Sequence, residues 1–295
     1  MENTPSSIKR NILVTGANGQ LGREFQQLQK EYSSFNFLFV TKDELSIADE
    51  NSVAIFFKNI PIHICINCAA YTSVDKAESE RELATTVNAT AVGYLAKACR
   101  IYNAKFIHIS TDYVFDGNGT NPYLENQQTD PVNFYGQTKL NGEQNALKEN
   151  KETIIIRTAW VYSSFGNNFV KTMLRLMKER ESIGVVNDQF GCPTYAADLA
   201  NAIMQVITSN NFIWGIYHYT NKGKISWYDF AKEISLQIES HCVVNGIITA
   251  QFPTPAARPS YSVLDTTKIT DTFNIIIPEW KDSLKKCLSI LKLQN

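Results

Sequence analysis

The chain has 295 residues, of which 44% are hydrophobic and 19% charged, a composition typical of globular proteins. Its formal net charge of −1 excludes the large basic face needed to bind nucleic acid or an anionic membrane. The first 19 residues lack signal-peptide features, and no apolar run approaches the roughly 18 residues of a membrane helix. These features predict a cytoplasmic protein without nucleic-acid or membrane partners.

Short apolar strands alternate with helical segments through the first half of the chain. The pattern predicts strands over residues 11–15, 35–40, 62–68, 105–110 and 153–158. Helices are predicted over residues 20–31, 53–58, 80–102 and 135–149. The third helix depends on apolar residues at helical spacing, namely Leu83, Val87, Ala91, Leu95 and Ala98. Such an alternation indicates an α/β protein with a Rossmann-like, doubly wound parallel sheet, which binds ligands at the carboxyl ends of its strands.

The second half has a less regular pattern. It predicts helices over residues 168–178, 196–209, 227–239 and 280–293, and one strand over 215–219. We therefore expect a dinucleotide-binding domain over residues 1–165. A smaller, mainly substrate-binding region is expected over residues 166–295, interleaved with the first and with a soft boundary.

A glycine-rich turn follows the first predicted strand. Gly16, Gly19 and Gly22 form G-x-x-G-x-x-G at the start of the first helix. Glycines there allow backbone N–H groups to approach a pyrophosphate, and the helix N-terminus adds partial positive charge. The turn predicts NADPH or NADH as cofactor. Thr41 and Lys42 after the second strand favour NADPH, while the adjacent Asp43 leaves the preference open.

A tyrosine and a lysine lie four residues apart on the predicted helix 135–149. Tyr135 and Lys139 share one helix face, and Thr111 ends the preceding strand. Reduction of a ketone requires a proton for the developing alkoxide, which a phenol can donate. We expect the Lys139 ammonium to favour the phenolate of Tyr135 and to hold the nicotinamide ribose. Thr111 can offer its hydroxyl to the substrate oxygen.

The cysteines and histidines do not have the spacing of a metal site. Cys65 and Cys68 form a C-x-x-C, but they lie in a predicted buried strand and no second pair follows. This arrangement favours buried thiols over a zinc or redox site.

Longer motifs make the chain resemble the extended short-chain dehydrogenase/reductases, and among these the dTDP-4-dehydrorhamnose reductase family. The motifs run nearly end to end: GANGQLG, INCAAYTSVDKAE, STDYVFDG, YGQTK, RTAWVYSSFGNNFVKTML, VVNDQFGCPT and ARPSYSVLDTTKI. The resemblance implies catalytic roles for Tyr135, Lys139 and Thr111. It implies cofactor contacts at Gly19, Gln20, Leu21, Ala69, Ala70 and Tyr71. It implies substrate contacts at Thr111, Asp112, Tyr135, Trp160, Asn168 and Arg258.

Two of these residues have alternative interpretations, and the chain departs from the family pattern at two sites. Trp160 could instead be a core aromatic residue, and Arg258 could form a surface ion pair. Ser46 and Ile47 stand where family members often carry an adenine-contacting aspartate. Some members bind magnesium at a dimer interface through three glutamates, which correspond here to Glu24, Ala197 and Ile290. We therefore expect no metal site. Because the family's metal lies at a dimer interface, its loss also weakens the argument for a homodimer.

The resemblance implies a nucleotide sugar as substrate and reduction of dTDP-4-dehydro-β-L-rhamnose to dTDP-β-L-rhamnose in the synthesis of cell-surface polysaccharide. A nucleotide-sugar epimerase or dehydratase is a related alternative. Dehydratases usually carry an added carboxylate beside the central threonine, and here Asp112 is followed by Tyr113. A non-catalytic regulatory subunit of the methionine adenosyltransferase type is a third hypothesis.

Overall fold

Strands and helices account for most of the protein, which a computed structural model describes over residues 9–209 and 211–293. In chain order the strands are β1 (Arg10–Thr15), β2 (Phe35–Val40), β3 (Ile64–Asn67), β4 (Lys105–Thr111), β5 (Thr153–Thr158), β6 (Val161–Tyr162), β7 (Ser182–Val186), β8 (Phe190–Gly191), β9 (Thr194–Tyr195), β10 (Gly215–His218), β11 (Ile225–Ser226) and β12 (Val243–Ile247). The α-helices are α1 (Gln20–Leu28), α2 (Glu50–Asn59), α3 (Val74–Ala77), α4 (Arg81–Thr85), α5 (Ala91–Ile101), α6 (Phe134–Glu149), α7 (Phe169–Glu179), α8 (Ala196–Thr208), α9 (Trp227–Gln237), α10 (Thr267–Phe273) and α11 (Trp280–Leu293).

A six-stranded parallel sheet in the order β10-β5-β4-β3-β1-β2 forms the centre of the fold. Side chains of β1 alternate between its two faces. Ile12 and Val14 pack with α1 and α8, whereas Leu13 packs with α2 and α5. Each fully buried aliphatic side chain contributes about 1.5–3 kcal/mol to folding. The strand order reverses direction between β1 and β3, which is where doubly wound sheets bind ligands. The predicted fold class is confirmed.

The long helix predicted over residues 80–102 is present but is interrupted by a π turn at Thr86–Thr90. A π turn inserts an extra residue and rotates the two helical halves relative to each other. Leu83 is therefore exposed, whereas Ala84 and Asn88 are buried. The continuous apolar face predicted from Leu83 to Ala98 is wrong at its first residue for this reason.

The second half forms three two-stranded sheets and a second core. These sheets pair β11 with β8, β12 with β7 and β6 with β9. The core between α7, α9 and α11 includes Met173, Phe230 and Leu284. Strand β10 returns to the central sheet beside β5, so this half contributes to both cores. The sequence pattern missed the two-residue strands β6, β8, β9 and β11, which show no periodicity, and also the five-residue strands β7 and β12.

Within the described residues, no helix has both the length and the apolar character needed to cross a bilayer. The signal-peptide prediction depends partly on residues 1–8, which lie outside the described part. All six cysteines are free thiols, with Cys65 fully buried in β3 and Cys68 half-buried just after it.

Candidate active site

The glycine-rich turn connects β1 to α1 at the carboxyl edge of the sheet. Gly16 has a φ of +67°, and a Cβ on it would lie 2.7 Å from the backbone nitrogen of Ala69. Gly19 is the N-cap of α1 and makes no side-chain hydrogen bond to the N–H groups of that helix. The turn therefore offers a glycine-walled cradle with helix N–H groups facing it, which fits the pyrophosphate of a dinucleotide. Gln20, Leu21 and Gly22 form the first turn of α1, as predicted.

A carboxylate lies at the end of β2, where the cofactor's adenosine ribose is expected. The backbone N–H and hydroxyl of Thr41 both donate to Glu44 Oε2, at 2.8 and 2.9 Å. Sequence reasoning had weighed Thr41 and Lys42 but missed Glu44. The adjacent Ser46 accepts a hydrogen bond from Asp49 through its backbone carbonyl. Because a carboxylate repels a 2′-phosphate, this contact moderates the preference for NADPH that Lys42 suggests.

The segment after β3 is held in place by Asn88, which lies in the π turn. The Asn88 amide accepts from the Tyr71 N–H at 2.8 Å and donates to the Tyr71 carbonyl at 3.0 Å. It also donates to the Thr138 hydroxyl on α6 at 3.1 Å. Ala69 lies against Gly16, and Ala70 connects it to Tyr71. Sequence reasoning missed Asn88, although an asparagine in the middle of an apolar helix is a detectable signal.

Tyr135 lies in the first turn of α6, directly after the Asn133 cap. The Asn133 side chain accepts from the Gly136 N–H at 2.8 Å and donates to the carbonyl of Ala257 at the same distance. Burial raises the pKa of Tyr135 to about 12, and the neighbouring Thr111 hydroxyl, whose own proton goes to Asp112 Oδ1, opposes that shift. The phenol is therefore protonated at neutral pH, which is the state that a proton donor requires.

Lys139 is buried one turn further along α6. Its Nζ donates to the carbonyl of Ile109 at 2.6 Å. Burial lowers the pKa of Lys139 to about 8, and the carboxylate of Glu143 opposes that shift. Burial sets the direction of the Tyr135 pKa, and the influence of Lys139 on the phenolate stays a prediction.

Asp112 and Trp160 follow β4 and β5 at the same edge. Asp112 is buried and accepts from the Thr111 hydroxyl at 2.9 Å, while its Oδ2 has no hydrogen-bond partner among the described residues. Burial raises the pKa of Asp112 to about 6. Trp160 has a φ of +49°, and its ring stacks on Trp227 with centroids 3.5 Å apart. A backbone held in this region costs about 1–3 kcal/mol, which surrounding packing must offset, and such strain is common at ligand sites.

Arg258 forms an ion pair rather than an open cationic site. Its Nη2 lies 3.0 Å from Asp75 Oδ2, and its Nη1 donates to the Ala256 carbonyl at 2.8 Å. Only 19% of the Arg258 side chain is exposed, so the pair lies at the edge of the interior. The pair connects the segment before Tyr261 to α3, next to the predicted site.

Asn168 is engaged as the N-cap of α7. Its Oδ1 accepts from the Lys171 N–H, while its Nδ2 donates to Gln20 Oε1 at 2.9 Å and to the Ser163 carbonyl at 2.8 Å. These contacts attach α7 to the cofactor turn. These contacts indicate that the main role of Asn168 is to orient the side chain of Gln20.

The three positions that correspond to the family's metal ligands line one cavity of about 460 Å³. Glu24 accepts there from the Ser163 hydroxyl at 2.5 Å, and Ala197 and Ile290 contribute carbon atoms only. Burial raises the pKa of Glu24. Among the described residues, no group of three or more His, Cys, Asp or Glu side chains could hold a metal ion. The donor set does not fit magnesium, which needs several oxygen ligands.

Comparisons with known proteins agree with this arrangement. The family described as RmlD substrate binding domain matches residues 10–293. A dTDP-4-dehydrorhamnose reductase of Aggregatibacter actinomycetemcomitans is 42% identical, with 93% of this chain and 97% of that protein covered. The enzyme of the same name from Escherichia coli K12 is 40% identical, with 95% and 98% covered.

Two solved structures share the whole fold. A dTDP-4-dehydrorhamnose reductase of Clostridium acetobutylicum has a TM-score of 0.92 at 42% identity, covering 96% of this chain and 99% of its own. The Bacillus anthracis enzyme, solved in complex with NADP, has a TM-score of 0.90 at 40% identity, covering 95% and 99%.

Proposed function

The chain belongs to the RmlD substrate binding domain family, and from this membership we propose that it reduces dTDP-4-dehydro-β-L-rhamnose to dTDP-β-L-rhamnose with NAD(P)H. The observation that carries the proposal is the buried grouping of Tyr135 beside Thr111, with Lys139 one turn further along α6, at the same sheet edge as a glycine cradle. The solved relative with NADP supports a nicotinamide cofactor. We assign Gly16, Gly19 and the first turn of α1 to the pyrophosphate.

When bound at the glycine cradle, NAD(P)H would supply a hydride to the keto carbon of the sugar. Tyr135 gives its phenolic proton to the keto oxygen as the carbon–oxygen double bond becomes a single bond. The raised pKa means that the phenol carries its proton at neutral pH, and the Thr111 hydroxyl lies beside it. Lys139 binds the nicotinamide ribose and stabilises the negative charge that develops on the phenol oxygen.

We assign Asp112 and Trp160 to the sugar nucleotide. The unpartnered Oδ2 of Asp112 is a buried acceptor suited to a sugar hydroxyl. The indole of Trp160 is fixed between Trp227 and Gly191, where a Cβ would lie 2.6 Å from the ring. Arg258 is assigned to the pyrophosphate of the substrate, a role in which it would exchange part of its ion pair with Asp75 for a phosphate contact.

Asp112→Asn is expected to weaken catalysis while stabilising the protein at pH 7.5. The raised pKa means that the folded state disfavours the carboxylate, so wild-type stability falls as the pH rises from about 4 through about 6. A pKa difference of two units corresponds to roughly 3 kcal/mol. We expect the free energy of unfolding of Asp112→Asn to exceed that of the wild type by about this amount at pH 7.5 but not at pH 4. Chemical denaturation at both pH values, with KM for the sugar nucleotide, checks this. An unchanged KM would contradict the substrate contact.

Incubation with dTDP-4-dehydrorhamnose and excess NADPH or NADH tests the proposed function. We expect stoichiometric loss of nicotinamide absorbance with formation of dTDP-rhamnose. An epimerase or dehydratase returns its cofactor unchanged, and a regulatory subunit gives no turnover. Either result would refute the proposal. Homodimerisation and a cytoplasmic location stay predictions, to be measured by light scattering and cell fractionation.

A further inference from the structure

A buried ion pair lies one helical turn beyond Lys139. Glu143 on α6 and Arg157 on β5 have side chains that are 2% and 3% exposed. The guanidinium binds both carboxylate oxygens, with Nη2–Oε2 at 2.7 Å and Nε–Oε1 at 2.9 Å. The Ser110 hydroxyl also donates to Oε1, at 2.5 Å. This geometry fixes the Glu143 carboxylate on both sides.

Stability alone is a weak reason for burying these charges. The cost of removing two ions from water often equals or exceeds their mutual attraction, so apolar residues of similar size can be as stabilising. The position of the pair is more informative. Ser110 precedes Thr111 and is opposite Arg157 in the β4–β5 register. Glu143 therefore connects the helix that carries Tyr135 and Lys139 to the strand that carries Thr111.

Few negatively charged side chains surround Lys139. The elements packed against this part of α6 present Cys68 after β3, Asp75 and Glu78 around α3, Arg81 on α4, His108 on β4, Asp112 and Arg157. The π turn contributes the uncharged Asn88. Burial raises the pKa of Cys68 and keeps that of His108 well below its usual value, so both are neutral at pH 7. Glu143 is the foremost group that supports the charged form of Lys139.

We propose that Glu143 is a positioning residue whose carboxylate, fixed by Arg157 and Ser110, keeps Lys139 an ammonium and sets the upper pH limit of its action. The inference rests on the proposed function, because it takes Lys139 as the residue that holds the nicotinamide ribose. Arg157 orients the carboxylate and also contacts the Glu125 carbonyl at 3.3 Å and His218 at 3.5 Å.

Glu143→Gln tests the proposal through the pH dependence of NADPH affinity and of kcat/KM. The alkaline limb of both profiles is expected to move down by about one pH unit, which makes NADPH binding about tenfold weaker at pH 9 with little change at pH 6.5. Circular dichroism at each pH gives the folded fraction, and each profile is normalised to it, so that its shape reports titration and not unfolding. A mildly destabilised variant therefore still gives a decisive result.

Arg157→Met is the matched control, because it breaks the same buried pair but leaves the carboxylate. Above pH 7, its alkaline limb is expected to stay in place or to move up. Equal downward shifts in both variants, or no shift in Glu143→Gln, would overturn the proposal and leave the pair a structural feature. Absence of reductase turnover in the wild type would refute the proposed function separately, because the NADPH affinity profile is measured without substrate.

Discussion

Tyr135→Phe is expected to lower kcat by about 10²–10⁴-fold, the range associated with loss of a general acid. The substitution removes only the phenolic oxygen, which lies beside the Thr111 hydroxyl. The ring keeps its edge contact with Tyr113, with centroids 5.8 Å apart, so the fold and the cofactor cradle should persist. We expect NADPH affinity to change by less than about threefold, since Lys139 keeps its contact with Ile109. Single-turnover kinetics and fluorescence titration of NADPH measure the two quantities.

Tyr113→Phe provides the matched control for that experiment. Tyr113 lies beside Tyr135, and burial raises the pKa of its phenol as well. Its backbone N–H, not its hydroxyl, contacts Thr111. The control should therefore retain kcat within about threefold. If both variants lost activity equally, or if Tyr135→Phe kept full turnover, another group would have to supply the proton.

The carboxyl-edge arrangement could be predicted from the sequence because it depends on local patterns. Continuous apolar runs defined the strands of the first half, and β2 and β5 have the predicted bounds. In a parallel sheet, the residues after those strands must meet at one edge. That rule brings Gly16, Ala69 and Thr111 together without any knowledge of side-chain contacts.

The polar network beneath that edge could not be predicted in the same way. Glu143 and Arg157 are separated by 14 positions, and each looks like a surface charge in its own element. Their pairing depends on how α6 packs against β5, a tertiary property that no local periodicity carries. An ion pair was one of the two interpretations of Arg258, but no local pattern points to its partner Asp75, which lies 183 positions away.

The pKa of Tyr135 shows a second limit of sequence reasoning. Spacing placed an ammonium four residues away and correctly put both groups on one helix face. It could not weigh that charge against burial, because the degree of burial depends on elements distant in sequence. In the structure, burial raises the Tyr135 pKa, so the phenol is held protonated at neutral pH.

Gly22→Ala is expected to have the other large effect, on cofactor binding. A Cβ at Gly22 would lie 2.4 Å from the Gly16 carbonyl oxygen and 2.9 Å from Ala17 Cα, both backbone atoms. The turn must therefore move away from α1, which changes the cradle for the pyrophosphate. We expect NADPH affinity to fall about 100-fold, equivalent to about 2.7 kcal/mol, and the free energy of unfolding to fall by about 1–3 kcal/mol.

Gly93→Ala separates the effect of the turn from that of replacing any buried helix glycine. Gly93 lies in α5, and a Cβ there would meet Asn145 Cβ at 3.4 Å, close to an ordinary contact. Because alanine favours the helix by about 1 kcal/mol, this variant should be as stable as the wild type or more so, with unchanged NADPH affinity. Calorimetric titration of both variants decides the matter. Normal NADPH affinity in Gly22→Ala would mean that the glycine turn does not hold the pyrophosphate, and the cofactor site would then lie elsewhere.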